Sequence, residues 1–211
     1  LLAGTVFGRS HDLTPNILDF LKIHLNRDLQ DQDLLTWFDQ YQSLLLKPVL
    51  SLFYQHGIVM EPHLQNSILV HQDSRPVKVL LRDFGGVKLT SDLGIHSIQG
   101  QEVHPRVKQS IEYSREKGCK RICYCLFVNH LSEAILALTW QRPSIAPKMW
   151  QSVYSELEQF RNSISLPTPE IDELLAGAPI HCKTNFKVRL AGNADREAGY
   201  VQLASPWSTA D

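Results

Sequence analysis

The amino-acid composition changes at residues 67–89, and this stretch limits most strongly the folds that the chain can adopt. The stretches SILVH, VKVLLRDF and VKL are short and rich in β-branched residues, and QDSRP and GG separate them. Short apolar stretches divided by turn-forming residues are typical of antiparallel strands joined by tight turns. The sequence therefore predicts an antiparallel hairpin or meander in the middle of the chain.

A long helix is predicted before this hairpin. Residues 34–53 place apolar side chains every three or four positions, which is helical spacing. Pro48 has no amide proton to donate, so we expect a kink or a break near Leu46. Gly57 is expected to end the helix after His56.

Further helices are predicted after the hairpin. Pro105 suits the first turn of a helix that extends to Gly118, and residues 121–140 are apolar almost all round, as in a buried helix. Two more helices are expected from their start and stop residues: Pro147 for one, and Thr168, Pro169 and Gly177 for the other. The fold class is therefore α+β, a helix-rich domain with a small antiparallel sheet, and residues 1–211 are expected to form a single domain.

The stretch IHCKTNFKVRL, residues 180–190, alternates apolar and polar residues and predicts a strand. Lys183, Lys187 and Arg189 would then project from one face of it. A solvated strand face explains this pattern, and so does a surface that binds carboxylate or phosphate. The stretch AGNADREAG is expected to turn the chain, and YVQL to pair back as a second strand.

Charge and cysteine content count against several classes of protein. The net charge of −1 gives no electrostatic argument for nucleic acid or an anionic membrane as partner. The sequence contains no run of about 18 apolar residues, so no transmembrane helix is predicted. The four cysteines lack the paired C-x2-C spacing of a zinc site, so we expect reduced thiols. Because the chain starts without Met, we expect it to be a fragment of a longer protein.

Polar residues lie at the ends of two predicted strands. His63, Gln65 and Asn66 precede the first strand, and Asp83 ends the second, followed by Gly85 and Gly86. A hairpin would bring Asn66 and Asp83 to one edge, where amide and carboxylate oxygens suit a phosphate-bound Mg²⁺. Protein kinases use a comparable Asn and Asp pair. His63 suits a proton carrier or a donor to an anion. A hairpin with capped ends and a structural histidine explain the same residues without a metal.

The stretch HGIVMEPHLQN, followed by a strand and LRDFGG, resembles the C-terminal part of the IucA/IucC-type, NRPS-independent siderophore synthetases. Outlying elements of that family also match, namely a W-x3-Y-x6-P frame at Trp37, Tyr41 and Pro48 and a K-x5-RL element at Lys183, Arg189 and Leu190. The resemblance covers the chain from about residue 34 to near its end. It departs at ASPW, where the family has an Asn-Pro-Leu-like stretch, and the N-terminal ATP-binding elements of the family are not in this chain.

The resemblance implies an ATP-dependent ligase of siderophore biosynthesis. A carboxylate, often citrate or a citrate derivative, would be activated as an acyl-adenylate and then condensed with an amine or an alcohol. Gln65 and Asn66 would contact the ATP phosphates. Asp83, together with Asn66, would hold Mg²⁺. His63 would contact the substrate carboxylate or stabilise negative charge at the acyl centre. Further anion contacts would come from Arg82, Lys183 and Arg189.

The resemblance also implies the setting in which this chain works. It would form the palm-like part of a thumb, fingers and palm architecture, completed by the N-terminal half of the same enzyme. Small carboxylates and amines or alcohols would be the substrates, and the location would be cytoplasmic. A homodimer stays open. The identities of the carboxylate, the nucleophile and the siderophore do not follow from the sequence.

Three other functions compete with this interpretation. A kinase-like phosphotransferase would need a Gly-rich loop and a strand Lys, which residues 1–33 do not supply. A ferric-siderophore reductase, whose relatives share a distant resemblance to this domain, would need a C-terminal cysteine cluster for a [2Fe–2S] centre, where Cys182 stands alone. A non-catalytic remnant that binds a siderophore or a partner would be indicated by substitution of His63 or Asp83, and both are present.

Overall fold

Helices dominate the computed structural model, which describes residues 1–192 and 199–207. The helices within these ranges are α1 (Ala3–Val6), α2 (Asn16–Leu25), α3 (Asp31–His56), α4 (Pro105–Ile111), α5 (Arg115–Cys123), α6 (Ser132–Leu138), α7 (Ala146–Ser163), α8 (Pro169–Leu175) and α9 (Asn185–Leu190). The strands there are β1 (Ile58–Val59), β2 (Ser67–Gln72), β3 (Arg75–Leu81), β4 (Lys88–Thr90), β5 (Glu112–Tyr113), β6 (Ile180–Lys183) and β7 (Tyr200–Leu203). This is the predicted α+β, helix-rich class with small sheets.

Helix α3 is the spine of the core. Its start is fixed by a reciprocal capping box between Gln30 and Asp33, and its end by Gly57, which adopts a left-handed φ of 63° as predicted. Of the predicted kink or break near Leu46, the break is wrong, because the helix continues through Pro48 to His56. Side chains on both sides of Pro48, such as Leu45 and Val49, are buried in the core. Tertiary packing here outweighs the lost backbone hydrogen bond.

The predicted hairpin is confirmed as β2 and β3, which pair antiparallel from Ser67↔Leu81 to Gln72↔Arg75. Asp73 and Ser74 form its two-residue turn with φ angles of 48° and 67°, and a primed hairpin turn requires positive φ at both positions. The indole Nε1 of Trp37 on α3 donates a 2.7 Å hydrogen bond to the carbonyl of Ser74. The hairpin is therefore attached to helix α3 through its turn.

The third predicted strand, VKL, does not extend this hairpin into a meander. It forms β4, which pairs antiparallel with β1 and parallel with β5 in a separate sheet. A short 3₁₀ turn, Phe84–Gly86, lies between β3 and β4. This turn redirects the chain away from β2 and toward the end of α3.

The predicted helix from Pro105 to Gly118 is divided in two. Helix α4 ends at Ile111, β5 follows, and Ser114 begins α5 by accepting a hydrogen bond from the amide of Lys117 at 3.2 Å. Strand β5 bonds to β4, and this pairing replaces helical bonds over two residues.

A π-helical segment, Tyr124–Leu131, joins α5 to α6, so that helical structure runs from Arg115 to Leu138. By length and composition alone this helix could cross a membrane, although the sequence predicted no transmembrane helix. It is 61% buried inside the protein over its most apolar window, as a core helix is. The predicted burial of residues 121–140 is thus largely confirmed, with Leu126 and Leu131 fully enclosed.

The last predicted strand, residues 180–190, is only half correct. Ile180–Lys183 pairs with Tyr200–Leu203 as β6 and β7, which confirms the return strand. Residues 185–190 form α9 instead, where the amide of Val188 donates to the carbonyl of Thr184 at 3.0 Å. Strand β7 is four residues long, and the last bond across to its side runs from the amide of Thr184 to the carbonyl of Gly199 at 3.1 Å. Backbone groups after Thr184 bond within a helical turn instead. Most of the predicted AGNADREAG turn, residues 193–198, lies outside the described residues.

Candidate functional site

A short segment before β2 carries the first candidate residues. Leu64–Asn66 form a 3₁₀ turn, in which the amide of Asn66 donates to the carbonyl of His63 at 2.9 Å. The carbonyl of Asn66 accepts from the amide of Arg82 at 2.9 Å, which extends the pairing of β2 with β3 by one step. The hairpin therefore places His63, Gln65 and Asn66 at the same end as Arg82 and Asp83.

Asp83 leaves β3 in an uncommon backbone conformation. Its φ is 62° and its ψ is 71°, in the left-handed region that asparagine and aspartate tolerate better than most residues. Its side chain is exposed, and the neighbouring Phe84 is 70% exposed. Strained, exposed polar residues of this kind are concentrated at functional sites.

These residues fit a magnesium ion held mainly by phosphate. Asp83 offers an exposed carboxylate, and Asn66 offers an amide oxygen on a side chain that is 4% exposed. Within residues 1–192 and 199–207, no three or more His, Cys, Asp or Glu side chains are grouped to hold a metal by themselves. Mg²⁺ commonly takes one or two protein oxygens together with substrate phosphates, so this donor set is sufficient for such an ion.

The backbone around His63 is closely held. Its amide donates to the carbonyl of Glu61 at 2.9 Å, and its own carbonyl accepts from Ser67 Oγ at 3.2 Å as well as from the Asn66 amide. The residue is half-buried. The position from which its imidazole projects is therefore defined by the fold.

A charged pair that no sequence motif predicted lies beside this segment. Arg121 on α5 contacts Glu61 with 2.7 Å between Nη2 and Oε1, and donates to the Tyr113 hydroxyl at 2.9 Å. Burial acts to lower the pKa of Arg121, but the hydrogen bond and the charge of Glu61 outweigh it and raise that pKa. The one sequence signal for Arg121 is a charge at the start of the apolar stretch 121–140.

Gly86 allows this pair to form. A Cβ atom at Gly86 would clash with Oε2 of Glu61. The second glycine of LRDFGG thus leaves room for the carboxylate that pairs with Arg121. A requirement for close approach explains this glycine.

Cations surround the ring of Tyr113. The Nζ atom of Lys117 lies 4.0 Å from its centroid, the guanidinium carbon of Arg121 lies 5.6 Å away, and Nζ of Lys88 lies 5.9 Å away. Three positive charges on β4 and α5 therefore meet next to the 3₁₀ turn that follows Asp83. No motif in the sequence marks Lys88 or Lys117, because they converge only through the pairing of β4 with β5.

The predicted cationic face of residues 183–189 is corrected. Lys183 lies on β6, whereas Lys187 and Arg189 lie on α9, so the three do not share a strand face. The pKa of the Cys125 thiol is raised to about 12, first by burial and then by the charge of Glu61, while Arg121 and Lys183 act to lower it. Lys183 thus acts on the same thiol as the Glu61–Arg121 pair, whereas the exposed Arg189 lies on a separate element.

The cysteines are free thiols, as predicted. Cys119 and Cys123 on α5 have their sulfur atoms 3.7 Å apart. Cys182 lies on β6, away from this pair in the chain. The hydrogen bond with Cys123, followed by burial, raises the pKa of Cys119, which keeps this thiol protonated.

Comparisons with known proteins agree with the resemblance. A family model described as "Ferric iron reductase FhuF-like transporter" matches residues 35–198. The spermidine-citrate ligase of Bacillus anthracis is 26% identical over 193 residues, which are 87% of this chain and 32% of the ligase. The rhizobactin siderophore biosynthesis protein RhbC of Rhizobium meliloti (strain 1021) is 22% identical over 191 residues, which are 88% of this chain and 32% of RhbC.

Solved structures show the same fold. Aerobactin synthetase IucA from a hypervirulent pathotype of Klebsiella pneumoniae superposes with a TM-score of 0.82 at 18% identity, over 98% of this chain and 37% of that chain. The ATP-bound structure of IucA gives a TM-score of 0.81, also at 18% identity, over 98% of this chain and 36% of that chain. The chain thus spans about a third of the length of the relatives it matches. It belongs to the FhuF-like family and is homologous to siderophore synthetases of the IucA/IucC type.

Proposed function

We propose that this chain is the C-terminal, palm-like part of an ATP-dependent siderophore synthetase. The enzyme would activate citrate or a citrate derivative and condense it with an amine or an alcohol to give an amide or ester. The observation that carries the proposal is the backbone bond between Asn66 and Arg82, which gathers His63, Gln65, Asn66 and Asp83 at one end of the hairpin. The curated relatives that act on citrate support the substrate class.

The residues at this end have distinct roles in the proposal. Gln65 and Asn66 contact the ATP phosphates, and Asp83 and Asn66 hold Mg²⁺. The ion supplies charge neutralisation for the phosphates when it is bound. His63 donates a hydrogen bond to the substrate carboxylate, or to the oxygen on which negative charge builds at the acyl centre.

The positive surface next to Tyr113 supports a polycarboxylate substrate. Lys88 and Lys117 lie around one ring with Arg121, whose charge is paired with Glu61, and Lys183 lies within electrostatic reach of the same region. Such a group attracts an anion with several carboxylates more than one with a single carboxylate. Arg82 and Arg189, both exposed, are proposed as outer anion contacts.

The active site is proposed to be shared with the rest of a longer polypeptide. Because the chain spans about a third of its relatives, the N-terminal half would supply the other ATP contacts. Little turnover is therefore expected from this chain alone. We further propose a cytoplasmic enzyme without a nucleic-acid or membrane partner, and a homodimer remains to be tested by its mass in solution.

The test is a calorimetric titration of the complete natural protein with ATP, with and without Mg²⁺ and with and without citrate. Asp83→Asn removes the charge and keeps a residue that tolerates the left-handed backbone. It should lower Mg²⁺-dependent ATP affinity by about 10–100-fold. Asn66→Ala should lower the same affinity.

Asp73→Asn is the matched control. Asp73 is also exposed and left-handed, with a φ of 48°, but it lies in the turn at the opposite end of the same hairpin. Its substitution should leave ATP affinity unchanged. Equal affinity in Asp83→Asn and the unsubstituted protein would refute the metal role.

A second candidate is suggested by the family description, which prints ferric iron reductase. A [2Fe–2S] centre takes four ligands, commonly four thiolates. The described cysteines place Cys119, Cys123 and Cys125 on one helical stretch and Cys182 on β6. Iron and acid-labile sulfide content after anaerobic purification distinguishes the candidates, since about two of each per chain would favour the reductase.

A further inference from the structure

His130 is a buried histidine beneath the candidate site. Its side chain is 0% exposed and projects from the π-helical segment. Nδ1 lies 2.7 Å from the carbonyl oxygen of Pro62, and Nε2 lies 2.5 Å from the hydroxyl of Tyr41 on α3. Both ring nitrogens are therefore engaged, one of them by the residue directly before His63.

The partners determine the protonation of this ring. A carbonyl oxygen can only accept, so Nδ1 carries the hydrogen and donates it to Pro62. Burial, aided by the charge of His63 and opposed by the bond to Pro62, lowers the pKa of His130 to about 4, so the ring is neutral near pH 7. In a neutral ring Nε2 accepts, and the Tyr41 hydroxyl is its donor.

The bond to Pro62 holds one particular peptide group. The Pro62 carbonyl and the His63 amide belong to the same planar unit. His130 fixes its oxygen, and the carbonyl of Glu61 accepts from its N–H at 2.9 Å. The plane from which the His63 side chain departs is thus held at both ends, and Pro62 has a restricted φ as well.

The π-helical segment is a second, independent observation at this place. Its end is marked by the amide of Ser132, which donates to the carbonyl of Phe127 five residues earlier, and Ser132 Oγ donates to the same carbonyl at 2.7 Å. Such segments are rare and are found frequently at functional sites. Here the altered helical register carries the side chain that reaches Pro62.

We propose that His130 is a positioning residue that sets the orientation of His63 through the Pro62 carbonyl, with the Tyr41 hydroxyl holding Nε2 at the other side of the ring. The catalytic meaning of this role rests on the proposed function, because it assumes that His63 meets the substrate. His130 itself is enclosed and does not contact substrate.

Two substitutions separate positioning from packing. In His130→Asn the amide nitrogen stands near the Nδ1 position and can still donate to Pro62. In His130→Gln the amide reaches toward Tyr41, and the bond to Pro62 is lost. Both remove an aromatic ring from the same enclosed place, so both lower stability, and only the second releases the peptide before His63.

The measurements are steady-state kinetics of the complete protein and NMR of its histidine rings. We expect His130→Gln to lower kcat by about 10–100-fold, because a small misplacement of a reacting group has effects of that size. The KM for ATP should stay within about twofold, and the His63 ring signals should shift. In His130→Asn, kcat and the His63 signals should stay near those of the unsubstituted protein.

Tyr41→Phe and Tyr54→Phe form the matched control. Both residues are buried on α3 and both hydroxyls are hydrogen-bonded, Tyr41 to His130 and Tyr54 to Glu170 at 3.0 Å. Tyr41→Phe leaves Nε2 without its hydrogen bond and the ring held at one side only, so it should shift the His130 ring signals and lower kcat, whereas Tyr54→Phe should do neither.

Equal kcat in the Asn and Gln variants, with unchanged His63 signals in both, would overturn the positioning role. Failure of this positioning role can be distinguished from failure of the proposed function. If Asp83→Asn leaves ATP binding intact, the synthetase assignment of the hairpin end fails, whereas the His63 signals still decide whether His130 orients that residue.

Discussion

The segment that precedes β2 has two sides with opposite properties. Its outward side presents Gln65 and the neighbouring Asp83 to solvent, and the Asp83 backbone is in a left-handed conformation. Its inward side buries Asn66 and bonds the Pro62 carbonyl to His130. Residues 61–66 thus combine the exposed side chain of Gln65 with a backbone that is bonded to the core at Pro62.

This difference shows how a hairpin end can be both reactive and stable. An exposed carboxylate contributes little to stability, so it can be kept for a ligand. A buried hydrogen-bonded histidine contributes to stability and orientation, and it is unavailable for chemistry. Substitutions and pH changes on the two sides should therefore affect different measurements.

The largest expected effect is on the inward side and comes from acid. The pKa of His130 is about 4 in the folded protein, below the value of about 6.5 in an unfolded chain. The unfolded state binds the additional proton between these values, so the free energy of unfolding falls as pH decreases from about 6.5 to about 4. A shift of this size corresponds to about 3 kcal/mol at the acid end.

Denaturant titrations at several pH values measure this effect. His130→Asn removes the titrating ring, so the difference in unfolding free energy between it and the unsubstituted protein should narrow toward pH 4. His11→Gln changes an exposed histidine and should leave the pH dependence unchanged. An unaltered slope in His130→Asn would mean that other groups cause the acid sensitivity.

A smaller loss of stability is expected from a substitution at Gly86, where the two sides meet. Gly86→Ala forces the Glu61 carboxylate away from Arg121, because the added methyl group overlaps Oε2. The flexible end of Glu61 can move, so the cost is mainly the weakened ion pair, and the free energy of unfolding should fall by about 1 kcal/mol. The midpoint of chemical unfolding measures it.

Gly85→Ala is the neighbouring control. Its added Cβ would lie 3.4 Å from Asp83 Oδ1, at the end of an exposed side chain that can move. We expect a change within about 0.5 kcal/mol, as at most surface positions. If both glycines tolerate alanine equally, the Glu61–Arg121 pair does not depend on the space at Gly86.

The hairpin was predictable because its signals are local. β-Branched stretches, a short polar turn and polar residues at the strand ends all indicated an antiparallel hairpin. Strand β2 pairs with β3 as predicted. The same alternation in residues 184–190 was misleading, since whether a period of two becomes a strand depends on a partner. Strand β7 supplies a partner only as far as Lys183.

The candidate site was predictable to the same extent. His63, Gln65, Asn66 and Asp83 came from two adjacent motifs, so one turn was enough to unite them. The remaining charged residues were not predictable, because Arg121 reaches the site from α5 and Lys88 from β4. Their meeting depends on the packing of α5 beside β4, which no local pattern in the sequence specifies.

The smallest expected effect tests whether the outward side extends as far as Lys183. Lys183 acts electrostatically on the Cys125 thiol together with Arg121, whereas Lys187 is exposed on α9. In the complete protein, Lys183→Ala should weaken citrate binding by up to about fivefold, which is the size of a partly screened charge contact. Lys187→Ala changes the net charge equally and should have no such effect.

Calorimetry with citrate at two salt concentrations decides between these outcomes, since a direct contribution from Lys183 should diminish as salt increases. An equal loss in both variants would assign the effect to overall charge, and the cationic surface would then end at Arg121.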